Sequence, residues 1–237
     1  MKRAVIIGAT SGIGQEVAKC LLLEGWQIGI AGRRQSALET LQRVAPDQIE
    51  IQALDVTRED AAEKLNALID KTGGMDLFLL SSGIGFQNMK LDMEVELNTA
   101  RTNVEGFTRM VDTVFAYFKK KGGGHLAVIS SIAGTKGLGV APAYSATKRF
   151  QNTYIDALEQ LAHLQKLDIH FTDIRPGFVD TAMAKGEGLF WVTPVDKAVK
   201  QIKKAISDRK KVAFISKRWK YVAWLFKLIP SALYCKM

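Results

Sequence analysis

Tyr144 and Lys148 stand four residues apart in the stretch PAYSATK, residues 142–148, just after a proline. Proline suits the first turn of a helix, and a spacing of four then puts both side chains on one face. A phenol ordinarily titrates near pH ~10, too high for an efficient base at neutrality. A neighbouring ammonium and the positive end of a helix both favour the phenolate. Tyr144 can then exchange a proton with an alcohol or ketone oxygen. Ser131, at the end of the apolar run HLAVISS (125–131), offers that oxygen a hydroxyl partner. A Tyr–Lys pair arises on many amphipathic helices; Ser131 is what gives this one weight.

Proton exchange at a carbonyl needs a partner for the carbon, and the start of the chain offers a place for one. Directly after the apolar run RAVIIG comes GATSGIG, with Gly8, Gly12 and Gly14. A turn from strand into helix leaves free N–H groups facing outward, and glycine lets a phosphate approach the backbone closely. The spacing departs from G-x-G-x-x-G. Its position between a first strand and a first helix nevertheless points to a dinucleotide. At the end of the second strand, where a carboxylate would bind the adenosine ribose of NAD, the sequence reads AGRRQS, with Arg33 and Arg34. Guanidinium groups suit a 2′-phosphate, so the expected cofactor is NADP(H) rather than NAD(H).

The elements that must position these residues alternate along the chain. RAVIIG (3–8), WQIGIAG (26–32), IEIQAL (49–54), MDLFLLS (75–81), HLAVISS (125–131), DIHFTDI (168–174) and KVAFIS (211–216) read as strands. Helical patterns lie between them at 13–24, 35–45, 57–72, 91–121, 143–165 and 194–207. Strands apolar along their whole length belong in a parallel sheet covered on both faces. The pattern predicts an α/β fold: a doubly wound, Rossmann-type parallel sheet of seven strands in a single domain over residues 1–216. KKKGGG (119–124) reads as a helix end with a basic last turn and a glycine stop.

On these motifs the chain resembles the short-chain dehydrogenase/reductase family, in its single-domain form. GATSGIG is similar to the family's glycine loop, with Gly8, Ser11, Gly12, Ile13 and Gly14 as cofactor contacts. Asp55 and Val56 of LDV match its adenine-contacting step, and Ser82 and Gly83 of SSGIG (81–85) stand where the family has Asn-Ala-Gly. RPGFVDT matches the nicotinamide-side loop and supplies Pro176, Gly177, Val179 and Thr181. The resemblance implies catalytic roles for Asn103, Ser131, Tyr144 and Lys148. Lys148 would also hold the nicotinamide ribose, Tyr144 would be a cofactor contact as well, and Asn103 would help carry a water-linked proton relay. From the residues alone, an Asn inside a helix can equally cap or bend it. Ile7 and Ser81 replace the family's usual Thr and Asn, a paired loss if the two strand ends are neighbours. The resemblance runs to about residue 181. Together with the two arginines it points to an NADP(H)-dependent alcohol–ketone oxidoreductase, with carbonyl reduction favoured because NADP(H) commonly serves reduction. A homodimer or homotetramer is expected. The alternatives are a silent nucleotide-binding scaffold and a membrane adaptor.

Composition narrows the rest. The chain has 237 residues and a formal net charge of +9, but residues 196–237 hold 12 basic and 2 acidic side chains against 21 and 22 before them. Basicity confined to one end argues against a nucleic acid partner. Cys20, expected to be a buried thiol, and Cys235 lie far apart, in keeping with a reduced, cytoplasmic setting, and the three histidines do not cluster as metal ligands. No apolar run reaches the roughly 20 residues needed to span a bilayer. Residues 182–193, with Met183, Leu189, Phe190 and Trp191, would cover a small-molecule carbonyl or alcohol, and Ile84, Phe86 and Leu138 would face it. The tail, residues 217–237, mixes lysines with aromatics. Lys220 and Lys227 fall on one side of a helix, with Trp219, Val222, Leu225, Phe226 and Ile229 largely elsewhere. That suits a subunit interface or, peripherally, the anionic inner face of a membrane.

Overall fold

A computed structural model describes residues 1–184 and 189–236. Seven strands form one sheet: β1 (Arg3–Ile7), β2 (Gln27–Gly32), β3 (Ile49–Ala53), β4 (Leu77–Leu80), β5 (Gly124–Ile129), β6 (Ile169–Pro176) and β7 (Val212–Ile215). The order is β3-β2-β1-β4-β5-β6-β7, and every pairing is parallel. Alternation along each strand explains the uninterrupted apolar runs. In β1, Val5 and Ile7 enter one core cluster while Ala4 and Ile6 enter the other. Helices α3 (Ala61–Lys71), α5 (Phe107–Lys121) and α6 (Pro142–Leu164) cover the first face. Helices α1 (Gly12–Leu23), α2 (Gln35–Gln42) and α7 (Val195–Ser207) cover the second. The chain doubles back between β1 and β4, so a crevice opens there at the strands' carboxyl ends.

Three expected helices differ. The one expected over 57–72 begins only at Ala61, because Asp55 Oδ1 accepts from the Thr57 amide at 3.0 Å and its hydroxyl at 2.8 Å, holding a turn. The stretch 91–121 is three pieces: α4 (Met93–Ala100), a π-turn over Arg101–Gly106, and α5. Asp92 caps α4 through the amides of Glu94 and Val95. The tail forms α8 (Lys217–Leu228) and the short α9 (Ser231–Tyr234). Cys20 is only half-buried, at the edge of the second cluster. Gly122 ends α5 in the left-handed region after three lysines, as its sequence implies. Ile7 and Ser81 are neighbours: the Ser81 amide donates to Ile7 O at 2.8 Å.

Candidate active site

Where β1 ends, the backbone turns at Gly8, with φ of +89°. A Cβ there would fall 2.5 Å from the Ser82 amide nitrogen, and one at Gly14 would fall 2.4 Å from Gly8 O. Only glycine permits this crossing of loop, helix and β4 end. Ser11 precedes α1 with extended backbone and makes no side-chain cap, and no acidic residue occupies the first turn. The helix start therefore presents free N–H groups to the crevice, as an anion requires.

The two arginines after β2 have different surroundings. One nitrogen of Arg34, Nη2, donates to Thr10 O at 3.1 Å, Thr10 Oγ1 at 3.0 Å and Ser11 Oγ at 2.9 Å. Both arginines are exposed and line the cleft, but Arg34 is tied to the glycine loop by these hydrogen bonds. Arg33 is the better placed of the two to meet an incoming anion.

Asn103 lies in the π-turn, fully buried. Its Oδ1 accepts from the Ile84 amide at 2.9 Å, and its Nδ2 donates to Ile84 O at 2.7 Å and Thr147 Oγ1 at 3.1 Å. The side chain clamps the loop after β4 against α6. Its backbone carbonyl points elsewhere and accepts from Gln151 Nε2 at 2.9 Å. A π-turn redirects a carbonyl that an ordinary helix would consume.

Ser131 follows β5 with extended backbone and accepts from the Ala133 amide at 3.0 Å, starting the 3₁₀ turn Ile132–Thr135. Pro142 opens α6, where Tyr144 and Lys148 share a face. Lys148 Nζ donates to Ile129 O at 3.2 Å and Gln151 Oε1 at 2.9 Å, and lies 5.8 Å from the centre of the Tyr144 ring. Two glycines after β4 make room for these groups. A Cβ at Gly85 would fall 2.4 Å from Tyr144 Cδ2, and one at Gly83 would fall 3.4 Å from Lys148 Nζ.

The cleft holding these groups has a volume of about 980 Å³. Of the residues expected at the site, all but Gly14 and Asn103 line it, and those two stand behind the wall. Pro176, Gly177, Val179 and Thr181 close its far side, Thr181 lying over Gly12. Ile84, Phe86, Leu138, Met183 and Leu189 line it too, as does Phe226 of α8. Phe190 and Trp191 instead pack with Phe178 around Trp219. Of the covering segment 182–193, residues 185–188 lie outside the described residues.

Electrostatics depart from the sequence reading at Tyr144. Burial pushes its phenol above the usual range, and the Ser131 hydroxyl opposes this only in part. Lys148 is itself pushed down to about 8 by burial, against the pull of Asp173. Nor is the helix start freely positive, because Glu96 Oε2 accepts from the Ala143 amide at 2.9 Å and places a carboxylate there. In the chain alone the phenol keeps its proton. Asp173 is buried and held by Ser130, Asn152 Nδ2 at 2.9 Å and the Arg175 guanidinium at 2.6 Å.

Sequence reasoning missed Glu96, which supplies the cap of α6 from 47 residues away, and Gln151, which joins Lys148 to Asn103. Only the second left a local signal, standing three positions after Lys148 and hence on its side of the helix. Gly85 was visible as part of SSGIG, but its contact with the Tyr144 ring was not.

The sequence pattern of the short chain dehydrogenase family matches residues 2–189. The chain belongs to that family. An uncharacterized oxidoreductase of Myxococcus xanthus is 34% identical over 188 residues, covering 77% of this chain and 74% of the relative. Another, from Staphylococcus haemolyticus, is 33% identical over 186 residues, covering 77% and 80%. Among solved structures, a 3-ketoacyl-(acyl-carrier-protein) reductase from Brucella melitensis complexed with NADH superposes with a TM-score of 0.79 at 22% identity, covering 90% of this chain and 96% of that one. An alcohol dehydrogenase from the archaeon Thermococcus sibiricus complexed with 5-hydroxy-NADP gives 0.77 at 21% identity, covering 90% and 94%. These two likenesses establish that this short-chain dehydrogenase shares their fold.

Proposed function

We propose that the chain is an NADP(H)-dependent oxidoreductase that interconverts a ketone or aldehyde with its alcohol, with reduction favoured. One observation carries the reading: Ser131, Tyr144 and Lys148 line the same cleft as the glycine loop and Arg33. The residues present fit a dinucleotide. The missing Cβ atoms of Gly8 and Gly14 allow a phosphate-binding turn, the open start of α1 would hold the pyrophosphate, and Lys148, lining the same cleft, would hold the ribose. Arg33 would meet a 2′-phosphate, with Arg34 keeping the loop in register. When bound, a nicotinamide dinucleotide supplies or accepts a hydride at the substrate carbon.

The chain's own residues handle the oxygen. The Ser131 hydroxyl hydrogen-bonds the carbonyl oxygen and fixes its position. Tyr144 keeps its proton because burial pushes its pKa up, so it acts first as a donor to that oxygen. This is the protonation state that carbonyl reduction needs. Lys148, protonated at neutral pH, stabilises the phenolate left behind. Members of this family are commonly oligomeric, and we infer a homodimer or homotetramer.

Tyr144→Phe tests the reading. Across a panel of aliphatic and aromatic ketones and aldehydes, NADPH oxidation should fall by at least about 100-fold with cofactor affinity little changed. Undiminished turnover would remove the phenol from the reaction.

A further inference from the structure

Helix α8 turns apolar side chains toward water. Its inward side carries Trp219, Ala223 and the half-buried Phe226, spaced by four and three residues. On the opposite side Trp224, Leu225 and Leu228 are 63%, 55% and 57% exposed, with Tyr221 beside them. The sequence reading grouped Leu225 with Trp219 and Phe226; the fold puts them on opposite faces. A helix bordering water ordinarily carries polar groups there. The polar groups that do flank this stripe are cations, Lys220 and Lys227, and residues 217–237 hold five basic and no acidic side chains.

The same helix is a wall of the cleft. Lys136 Nζ donates to the α8 carbonyl of Phe226 at 3.2 Å and to Ile229 O at 2.6 Å, and lies 4.3 Å from the centre of the Tyr234 ring. Lys136 and Phe226 both line the cleft, next to Leu138. At the mouth Phe86, Val140 and Met183 line the cavity and are also about half exposed. Phe226 thus brings α8 to the cavity that holds the reacting groups.

We propose that α8 and α9 dock on an anionic lipid bilayer, and that the carbonyl substrate is a long-chain lipid entering beside Phe226. An aromatic and leucine stripe edged only by cations complements anionic headgroups and the acyl boundary beneath them. A second copy of the chain is the poorer occupant, since a two-fold contact would set these cations against themselves. The substrate half rests on the carbonyl–alcohol reading above. There the carbonyl carbon gains a hydride, its oxygen gains the Tyr144 proton, and a reduced nicotinamide dinucleotide is oxidised in the same turnover.

The full chain and a Trp224→Ser/Leu228→Ser variant would be floated with phosphatidylcholine vesicles, with and without equimolar phosphatidylglycerol. NADPH oxidation would be followed with hexadecanal carried in those vesicles and with butanal in solution. The full chain should float only with the anionic vesicles, and less at high salt. The variant should lose flotation and about tenfold in hexadecanal turnover while keeping its butanal turnover. Absence of flotation, or equal flotation by both proteins, overturns the docking. A dimer by light scattering that the substitutions dissociate overturns it as well, making a second copy the occupant. Flotation with oxidation of NADPH by neither aldehyde overturns the lipid-substrate half together with the oxidoreductase reading, and is distinguishable from failure of docking.

Discussion

The Lys148 ammonium donates to Gln151 Oε1 at 2.9 Å, and the other end of that amide donates to Asn103 O at 2.9 Å. Gln151 is 1% exposed, so its hydrogen bonds have no water to replace them. In the proposed reaction the amide would hold the ammonium where the Tyr144 phenolate needs a counter-charge. Gln151 is thus a positioning residue. Gln151→Leu leaves a buried ammonium short of one acceptor, a loss of about 1–3 kcal/mol. It should lower kcat and move the alkaline limb of the pH–rate profile to lower pH. Gln151→Glu places a carboxylate against Lys148, which favours the charged form and should move that limb to higher pH. Identical limbs in all three proteins would make the role of Gln151 purely structural.

Lys148 also leaves a mark on stability. Its pKa is about 8 when folded and 10.5 ordinarily, so between those values the unfolded chain binds more protons. Stability contributed by this group therefore rises with pH through that window and is lowest below it, by about 3 kcal/mol. In urea titrations, the stability of Lys148→Met relative to the native chain should be greatest near neutrality and shrink toward pH ~10. A constant difference would mean that the buried amine titrates normally.

His125 gives the opposite end of the pH scale. Its ring is buried beside Thr172 Oγ1 at 2.8 Å, and burial, then His170 and Arg209, push it down to about 4. Between 4 and 6.5 the unfolded chain again binds the extra proton. The stability this neutral imidazole preserves is complete above 6.5 and is lost, by about 3 kcal/mol, as pH falls through 4. His125→Gln should flatten that acid limb in urea titrations, even where it costs stability at neutral pH.

The alternating elements and the sheet were legible because each depends on local pattern, and the grouping of Tyr144, Lys148, Ser131 and the glycine loop because their motifs resemble those of a known family. β1 reads as a buried strand from RAVII alone, and a helix fixes the Tyr144–Lys148 face whatever it packs against. Features that depend on distant partners were not legible. RTNVEG looks like ordinary helix, and its π-turn follows from how Asn103 is gripped by Ile84 and Thr147. The protonated phenol follows from burial, and the cap of α6 comes from Glu96; spacing reveals neither. The tail's two apolar faces emerge only when Trp219 finds its place on the domain.

That place is made by a glycine. A Cβ at Gly177 would fall 2.2 Å from the Trp219 indole, a rigid ring with little room to move. Gly177→Ala should therefore lift the start of α8 and disturb the loop beside it, costing about 1–3 kcal/mol. Trp219→Leu in the same chain should recover part of the loss made by Gly177→Ala, a coupling that a double-mutant cycle measures. Additive losses would show that the helix does not press on the loop.

The arginines should separate by cofactor. Both line the cleft, but Arg34 spends one nitrogen on Thr10 and Ser11. Arg33→Ala removes a partner for a 2′-phosphate and nothing from the loop. NADPH binding should weaken by about 1.5–3 kcal/mol, the scale of a hydrogen bond to a charged group, with NADH nearly unaffected. Arg34→Ala loosens the turn that both nucleotides would use, so it should weaken the two together. Titration of each variant with both reduced nucleotides, by fluorescence or calorimetry, measures this. Equal losses of NADPH and NADH on Arg33→Ala would take the 2′-phosphate away from Arg33 and leave the preference for NADP(H) without support.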